Sequence, residues 1–255
     1  MTRAAVVERG QEHPDLGVLI HGFLDRGRSW GALARSFPAS WDVRALDLRG
    51  AGRLATSEGP YSLEQAVQDV VDVIKQADAR RVARVGNSMG CLIAELVAVA
   101  IPEKVAALVL LTPTPLGGLE LPAETRELLR ESGGNQRQQR LIRERLSLRL
   151  APEQIEQMTD LDGLMGKDAA HGYYDAFSQG HPLGKEPSQF KGATLIVAST
   201  SDPSIPLALV QQIRATRFPD SSLETIDDSG HWPHVEQPVR TGKLVADFLS
   251  SIPGG

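Results

Sequence analysis

The feature that most restricts the fold is an alternation of short β-branched runs with longer segments of helical spacing. It fills the first two-fifths of the chain and returns near its end. Gly17–Ile20, Val43–Leu46, Val82–Val85 and Val105–Leu111 are brief and apolar on both faces, as strands covered from both sides must be. Between them, Trp30–Phe37, Ser62–Ala77 and Met89–Ala100 carry apolar residues three and four apart, and Ser62 with Glu64 and Gln65 offers a capped start to the second. Strand and helix in turn describe an α/β architecture, a mostly parallel central sheet flanked by crossover helices. Ala4–Val7 is a candidate edge strand.

The alternation stops at residues 114–190, which lack a strand signal and read as an inserted helical lid. The core is thereby divided into residues 1–113 and 191–255. Within the insertion, Gln136–Leu150 sets Ile142, Leu146 and Leu150 on one face and Arg137, Arg140, Arg143, Arg145 and Arg149 elsewhere. That pattern predicts a helix with solvated arginines paired to glutamates. Thr194–Ala198 and Ser222–Ile226 then resume the strands around a helix at Leu207–Arg217. A final helix from Glu236 to Ser250 closes the domain, with Pro253–Gly255 expected to fray.

A length of 255 residues fits one large domain carrying an insertion, and 41% hydrophobic with 23% charged residues excludes a disordered chain. The formal charge of −5 argues against a sequence-independent grip on nucleic acid or an anionic membrane, so a small-molecule partner is expected. The longest apolar run, Val105–Gly118, is broken by Pro113 and Pro115 and is too short to insert across a membrane. Cys91, the single cysteine, leaves no internal disulfide and no CxxC pair. With no apolar signal segment in Met1–Gly10, a cytoplasmic location is the expectation. Monomer and homodimer remain open.

The strongest chemical signal is Gly86–Asn87–Ser88–Met89–Gly90, between the Val82–Val85 strand and the Met89–Ala100 helix. A serine on so sharp a strand-to-helix turn projects its hydroxyl, and glycines are needed where side chains would meet the neighbouring strand and helix. Serine is a weak nucleophile near neutral pH, so a base and a group to orient that base are required. His231 follows the last strand and Asp202 the one before it. Both loops leave a parallel sheet at the carboxyl edge where Ser88 sits, and the order Ser88, Asp202, His231 is that of hydrolases built on such a sheet. His181, His234, Asp227 and Asp228 are rivals; the first lies in the insertion, and the aspartates fit turn roles. His21–Gly22–Phe23 after the first strand suits an oxyanion hole, with the backbone amides of Phe23 and Met89 as donors.

With HGF at His21–Phe23, DLRGAGR at Asp47–Arg53, GNSMG at Gly86–Gly90, SDPSIP at Ser201–Pro206 and GHWPHVEQP at Gly230–Pro238, the chain resembles the α/β-hydrolase fold superfamily over nearly its whole length. The resemblance implies a Ser88–His231–Asp202 triad, an oxyanion hole at Phe23 and Met89, and a helical lid; Asp47 and Arg49 match a structural loop. The chemistry expected is hydrolysis of a small carboxylic ester, lactone or thioester through an acyl-enzyme on Ser88, without metal or organic cofactor. GNSMG with GHW is also similar to hydrolases that cleave carbon–carbon bonds in ring-fission products of aromatic degradation. A non-catalytic, receptor-like binding role is a further alternative. Asn87, Leu116, Tyr173, Phe177 and Trp232 are the candidate substrate contacts, with Met165, Tyr174, His171 and His181 as further candidates from the lid, and Cys91 is expected to pack in the core.

Overall fold

The computed structural model describes residues 15–77 and 79–252; the candidate edge strand Ala4–Val7 and the tail Pro253–Gly255 lie outside them. Six strands, β1 (Asp15–Ile20), β2 (Trp41–Leu46), β3 (Arg81–Asn87), β4 (Val105–Leu111), β5 (Ala193–Ser199) and β6 (Ser222–Ile226), form one sheet in the order β2-β1-β3-β4-β5-β6. Every pairing is parallel, from β1 against β2 to β5 against β6. Each expected strand that falls within the described residues is present. Strand polarity therefore brings the loops after β1, β3, β5 and β6 to one edge.

The short helices α1 (Gly31–Ala34) and α9 (Pro233–Glu236) and the longer α10 (Pro238–Ser251) belong to one face of the sheet; α2 (Leu63–Gln76), α3 (Met89–Ala100) and α8 (Leu207–Arg217) belong to the other. Side-chain alternation divides the core accordingly. Leu16, Val18 and Ile20 of β1 join α2 and α3, while Leu19 joins Trp30, Leu33 and Val245 opposite. The Ser62 hydroxyl accepts from the Gln65 amide at 3.2 Å, the cap the sequence announced for α2.

Beside two prolines the helices depart from the bounds their periodicity predicts. The Trp30–Phe37 segment becomes a 3-10 turn over Gly27–Trp30 followed by the single turn of α1; Pro38 disfavours helical geometry at Phe37. The closing helix is broken at Gln237, with φ −131 and ψ 56, because Pro238 follows.

Between β4 and β5 the chain makes four helices: α4 (Ala123–Arg130), α5 (Gln136–Leu146), α6 (Pro152–Met158) and α7 (Lys167–Gln179). They form the helical insertion over the carboxyl edge. α5 ends at Leu146, four residues before the expected limit, as Ser147 turns extended. Arg140 pairs with Glu144 at 2.9 Å on its outer face, but Arg143 is fully buried rather than solvated. Among the described residues, no helix is long and apolar enough to cross a membrane.

Candidate active site

Ser88 sits between β3 and α3 with φ 53 and ψ −121, a backbone state that side chains avoid and that the packing around it enforces. The glycines explain how. A Cβ at Gly86 would lie 2.4 Å from the Gly90 carbonyl oxygen, and one at Gly90 would lie 2.2 Å from that of Ile20. Any larger residue there would push β3, α3 and β1 apart. The Ser88 Oγ lies 3.4 Å from Thr114 Oγ1.

His231 and Asp202 meet through a 2.7 Å contact between Nδ1 and Oδ2. The other carboxylate oxygen of Asp202 accepts from the Ser204 amide at 2.8 Å, the Ser204 hydroxyl at 2.8 Å and the Ile205 amide at 3.1 Å. Burial opposes ionisation of Asp202, yet the histidine and these donors outweigh it and hold the carboxyl below its ordinary value. Burial likewise disfavours a charged His231, but Asp202 prevails and raises its pKa above 6.5. An ionised carboxylate only accepts hydrogen bonds, so the imidazole proton belongs on Nδ1 and Nε2 carries the lone pair.

The loop bearing His231 is fixed by Glu236 of α9. Its buried carboxylate accepts from the amides of Gly230 at 2.9 Å, Trp232 at 3.1 Å, Leu148 at 2.8 Å and Arg149 at 2.9 Å. The His231 amide also donates to the Leu146 carbonyl at 2.9 Å. The histidine loop and the end of α5 are thus one hydrogen-bonded unit.

At the end of β1, His21 is fully buried and burial lowers its pKa, which keeps it neutral. Its Nε2 accepts from the Leu48 amide at 3.0 Å, so its Nδ1–H donates to the Gly22 carbonyl at 2.8 Å. A Cβ on Gly22 would lie 3.1 Å from Ser88 Cβ, which shows how closely this loop passes the serine. The amides of Phe23 and Met89 donate to no other described residue. Asp47 binds the amides of Gly27 at 2.7 Å and Arg53 at 3.1 Å, while Arg49 pairs with Asp69. Both are loop-building contacts.

Ser88 and His231 share the wall of a cavity of about 170 Å³. Phe23, Phe177 and Trp232 stand on the same wall, with Leu residues of the insertion, Arg143 and Arg145. Three candidate contacts do not. Asn87 is buried and its amide nitrogen donates to Thr112 Oγ1 at 2.8 Å and the His231 carbonyl at 3.2 Å, tying the serine turn to the histidine loop. Leu116 is buried where its carbonyl receives the His181 amide at 2.8 Å, and the Tyr173 ring packs 5.9 Å from that of Tyr61. Met165 and Tyr174 belong to the core cluster rather than the wall. His171 lies 3.0 Å from Glu131, and His181 caps the Leu183 amide at 3.2 Å; neither reaches the cavity. His234 stacks on Trp30 at 4.0 Å, fully buried, with burial pushing it down to about 4, so it stays neutral and apart from the serine. Asp227 and Asp228 are surface partners of Arg240 and Arg149. Cys91 is buried in the core, as expected.

Residues the sequence reading passed over are Thr114, Ser204, Glu236 and Arg143. Ser204 and Glu236 lie inside the quoted SDPSIP and GHWPHVEQP segments, which was the available signal. Thr114 and Arg143 carry none.

The family model described as "Alpha/beta hydrolase family" matches residues 18–243, and the chain belongs to that family. A Bacillus subtilis (strain 168) protein bearing the provisional name 2-succinyl-6-hydroxy-2,4-cyclohexadiene-1-carboxylate synthase is 29% identical over 284 residues, covering 98% of this chain and 96% of its own. In fold, the chain is similar to an esterase from Exiguobacterium antarcticum, with a TM-score of 0.84 and 18% identity over 98% of both chains. It is equally similar to a bromoperoxidase from Bacillus anthracis, at 0.84 and 19% identity over 96% of this chain and 94% of the other.

Proposed function

We infer that this α/β hydrolase cleaves a small carboxylic ester, lactone or thioester through an acyl-enzyme on Ser88. One observation carries the reading: His231, oriented by Asp202 through Nδ1, stands with Ser88 on the wall of one largely apolar cavity. In the first step His231 Nε2 takes the Ser88 proton as Oγ attacks the acyl carbonyl. The carbonyl oxygen becomes an oxyanion, for which the free amides of Phe23 and Met89 are the donors, the second at the positive end of α3. Collapse expels the alcohol, thiol or ring oxygen with the proton returned by His231, and water, activated by the same histidine, releases the acid. Asp202 keeps the tautomer throughout and stabilises the imidazolium. A volume of about 170 Å³ suits a short acyl chain.

The test is release of p-nitrophenol from p-nitrophenyl butyrate by wild type and by Ser88→Ala at equal concentration. Turnover is expected to vanish with Ser88, and equal rates would end the reading.

A second reading, hydrolysis of a carbon–carbon bond in a ring-fission product of aromatic degradation, is favoured by the charge of the wall. Arg143 and Arg145 stand on it, and among the described residues no Asp or Glu does. That asymmetry suits a substrate bearing a carboxylate, and a carboxylated cyclohexadiene is what the name of the Bacillus subtilis relative describes. Loss of the visible absorbance of a dienone acid on adding the protein separates this reading from the first.

A further inference from the structure

The loop that follows β1 is held by the inserted helices at two points, and one chain of its hydrogen bonds ends at the Phe23 amide. Leu24 lies at φ 61, a left-handed backbone state that a branched side chain keeps only when its surroundings impose it. Arg143 of α5 supplies that constraint. Its Nη2 donates to the Leu24 carbonyl and its Nη1 to the Gln139 carbonyl at 3.0 Å. Gln139 in turn donates to the carbonyls of Ser132 at 3.2 Å and Met165 at 3.1 Å, anchoring this turn of α5 inside the insertion. Arg26 of the same loop also reaches into the insertion. It donates to Asp160 Oδ1 at 2.6 Å, the Asp162 carbonyl at 2.6 Å, and the carbonyls of Met158 and Asp160 at 3.2 Å each.

The contact at Leu24 travels along the backbone. The Leu24 carbonyl shares a peptide unit with the Asp25 amide, which donates to the Gly22 carbonyl at 3.3 Å. The Gly22 carbonyl, held also by His21, shares its own peptide unit with the Phe23 amide. In a trans peptide the C=O and N–H lie on opposite sides of the unit. Fixing the Gly22 carbonyl from one side therefore aims the Phe23 N–H to the other. Arg143 is fully buried, its hydrogen bonds go to neutral carbonyls and its Cζ lies 6.0 Å from the Trp232 ring centroid; with no ion pair to a carboxylate among the described residues, its charge polarises this chain in the sense that strengthens the terminal N–H as a donor.

We propose that Arg143 is a positioning residue of the oxyanion hole: through the Leu24–Asp25 and Gly22–Phe23 peptide units it sets the direction of the Phe23 N–H. The inserted helices then complete the acyl-transfer site as well as roofing it. This rests on the reading of Ser88 as the acyl-transfer nucleophile.

The experiment compares full-length wild type, Arg143→Gln and Arg143→Lys on neutral p-nitrophenyl butyrate, whose lack of charge removes any direct reading of the substrate by the arginine. Steady-state kcat and KM are measured with the affinity for butylboronic acid, whose tetrahedral serine adduct places an oxygen in the oxyanion position. For Arg143→Gln, kcat is expected to fall about 10- to 100-fold with KM within about 2-fold, because the interaction lost belongs to the transition state. The boronate affinity should fall in parallel. Arg143→Lys keeps the charge but replaces the planar fork with a single ammonium nitrogen that cannot span both carbonyls, so its kcat should lie between the two. A folded Arg143→Gln protein with unchanged kcat and boronate affinity, or with the whole loss in KM, overturns the proposal. If Arg143→Gln does not fold, Arg143→Lys decides: reduced kcat at unchanged KM supports it, and wild-type kcat overturns it. Turnover that ignores Ser88→Ala would remove the acyl-transfer reading itself, whereas Ser88-dependent turnover indifferent to Arg143 removes this inference alone.

Discussion

Replacing Glu236 by alanine is expected to damage stability and activity together, because one carboxylate joins two parts of the site. It accepts from four amides, those of Gly230, Trp232, Leu148 and Arg149. Leu148 and Arg149 are exposed, so water replaces the carboxylate there at little cost. Gly230 and Trp232 are buried, and an orphaned buried donor costs about 1–3 kcal/mol. Two of them give a loss of about 2–6 kcal/mol, a large share of the stability of an ordinary domain. At roughly 2–4 °C per kcal/mol for a chain near this size, a loss in the middle of that range lowers the melting temperature by roughly 8–16 °C. Urea unfolding followed by tryptophan fluorescence measures the first quantity, and ester turnover well below the melting transition measures the second. Turnover should drop because Gly230 and Trp232 flank His231. A change under about 1 kcal/mol, or a fully active variant, would show that the histidine loop is held by something other than Glu236.

The Asp202–His231 pair makes both activity and stability depend on pH. Ester turnover requires neutral His231, so kcat/KM should decline on the acid side with an apparent pKa above 6.5, set by the neighbouring carboxylate. A profile flat through that region would contradict the assignment. The raised His231 pKa contributes stability that is complete below 6.5 and disappears as pH rises through the folded value. The lowered Asp202 pKa contributes stability that is present above 3.8 and is lost as pH falls through the folded value. Denaturant titrations across both ranges check the signs. Arg84 of β3 is fully buried, and its guanidinium has no hydrogen-bond partner among the described residues; burial pushes it down to about 9, opposed in part by Glu103. Arg84→Met should therefore raise stability by about 1 kcal/mol or more, and a destabilised variant by the same denaturant assay would refute that.

The strands and most of the serine turn were legible because their causes are local; the contact that requires Gly90, with Ile20 of β1, is the long-range exception. Two-sided apolar runs specify strands buried on both faces, and the Gly86 contacts that force the Ser88 turn are made by the adjoining elements. The convergence of Asp202 with His231 followed from strand polarity alone. Arg143 was not legible for the opposite reason. Helical periodicity assigns an arginine to solvent, and only a carbonyl 119 residues away in sequence brings it into the interior. Leu116 and Tyr173 were placed on the cavity by their position in the insertion, but their contacts with the 180s loop and with Tyr61 turn them to packing. Phe177, one turn beyond Tyr173 on α7, reaches the wall. A difference of that kind depends on how α7 is rotated against the core, which no pattern in the chain records.

Acylation of Ser88 is the most direct test of the account. Wild type mixed with p-nitrophenyl butyrate, quenched in acid within the first turnover and examined by intact-mass and peptide mass spectrometry, should carry one butyryl group on the peptide that contains Ser88. Ser88→Ala should carry none. Steady turnover with no acylated species at any quench time, or a butyryl group on another residue that persists in Ser88→Ala, would contradict the mechanism.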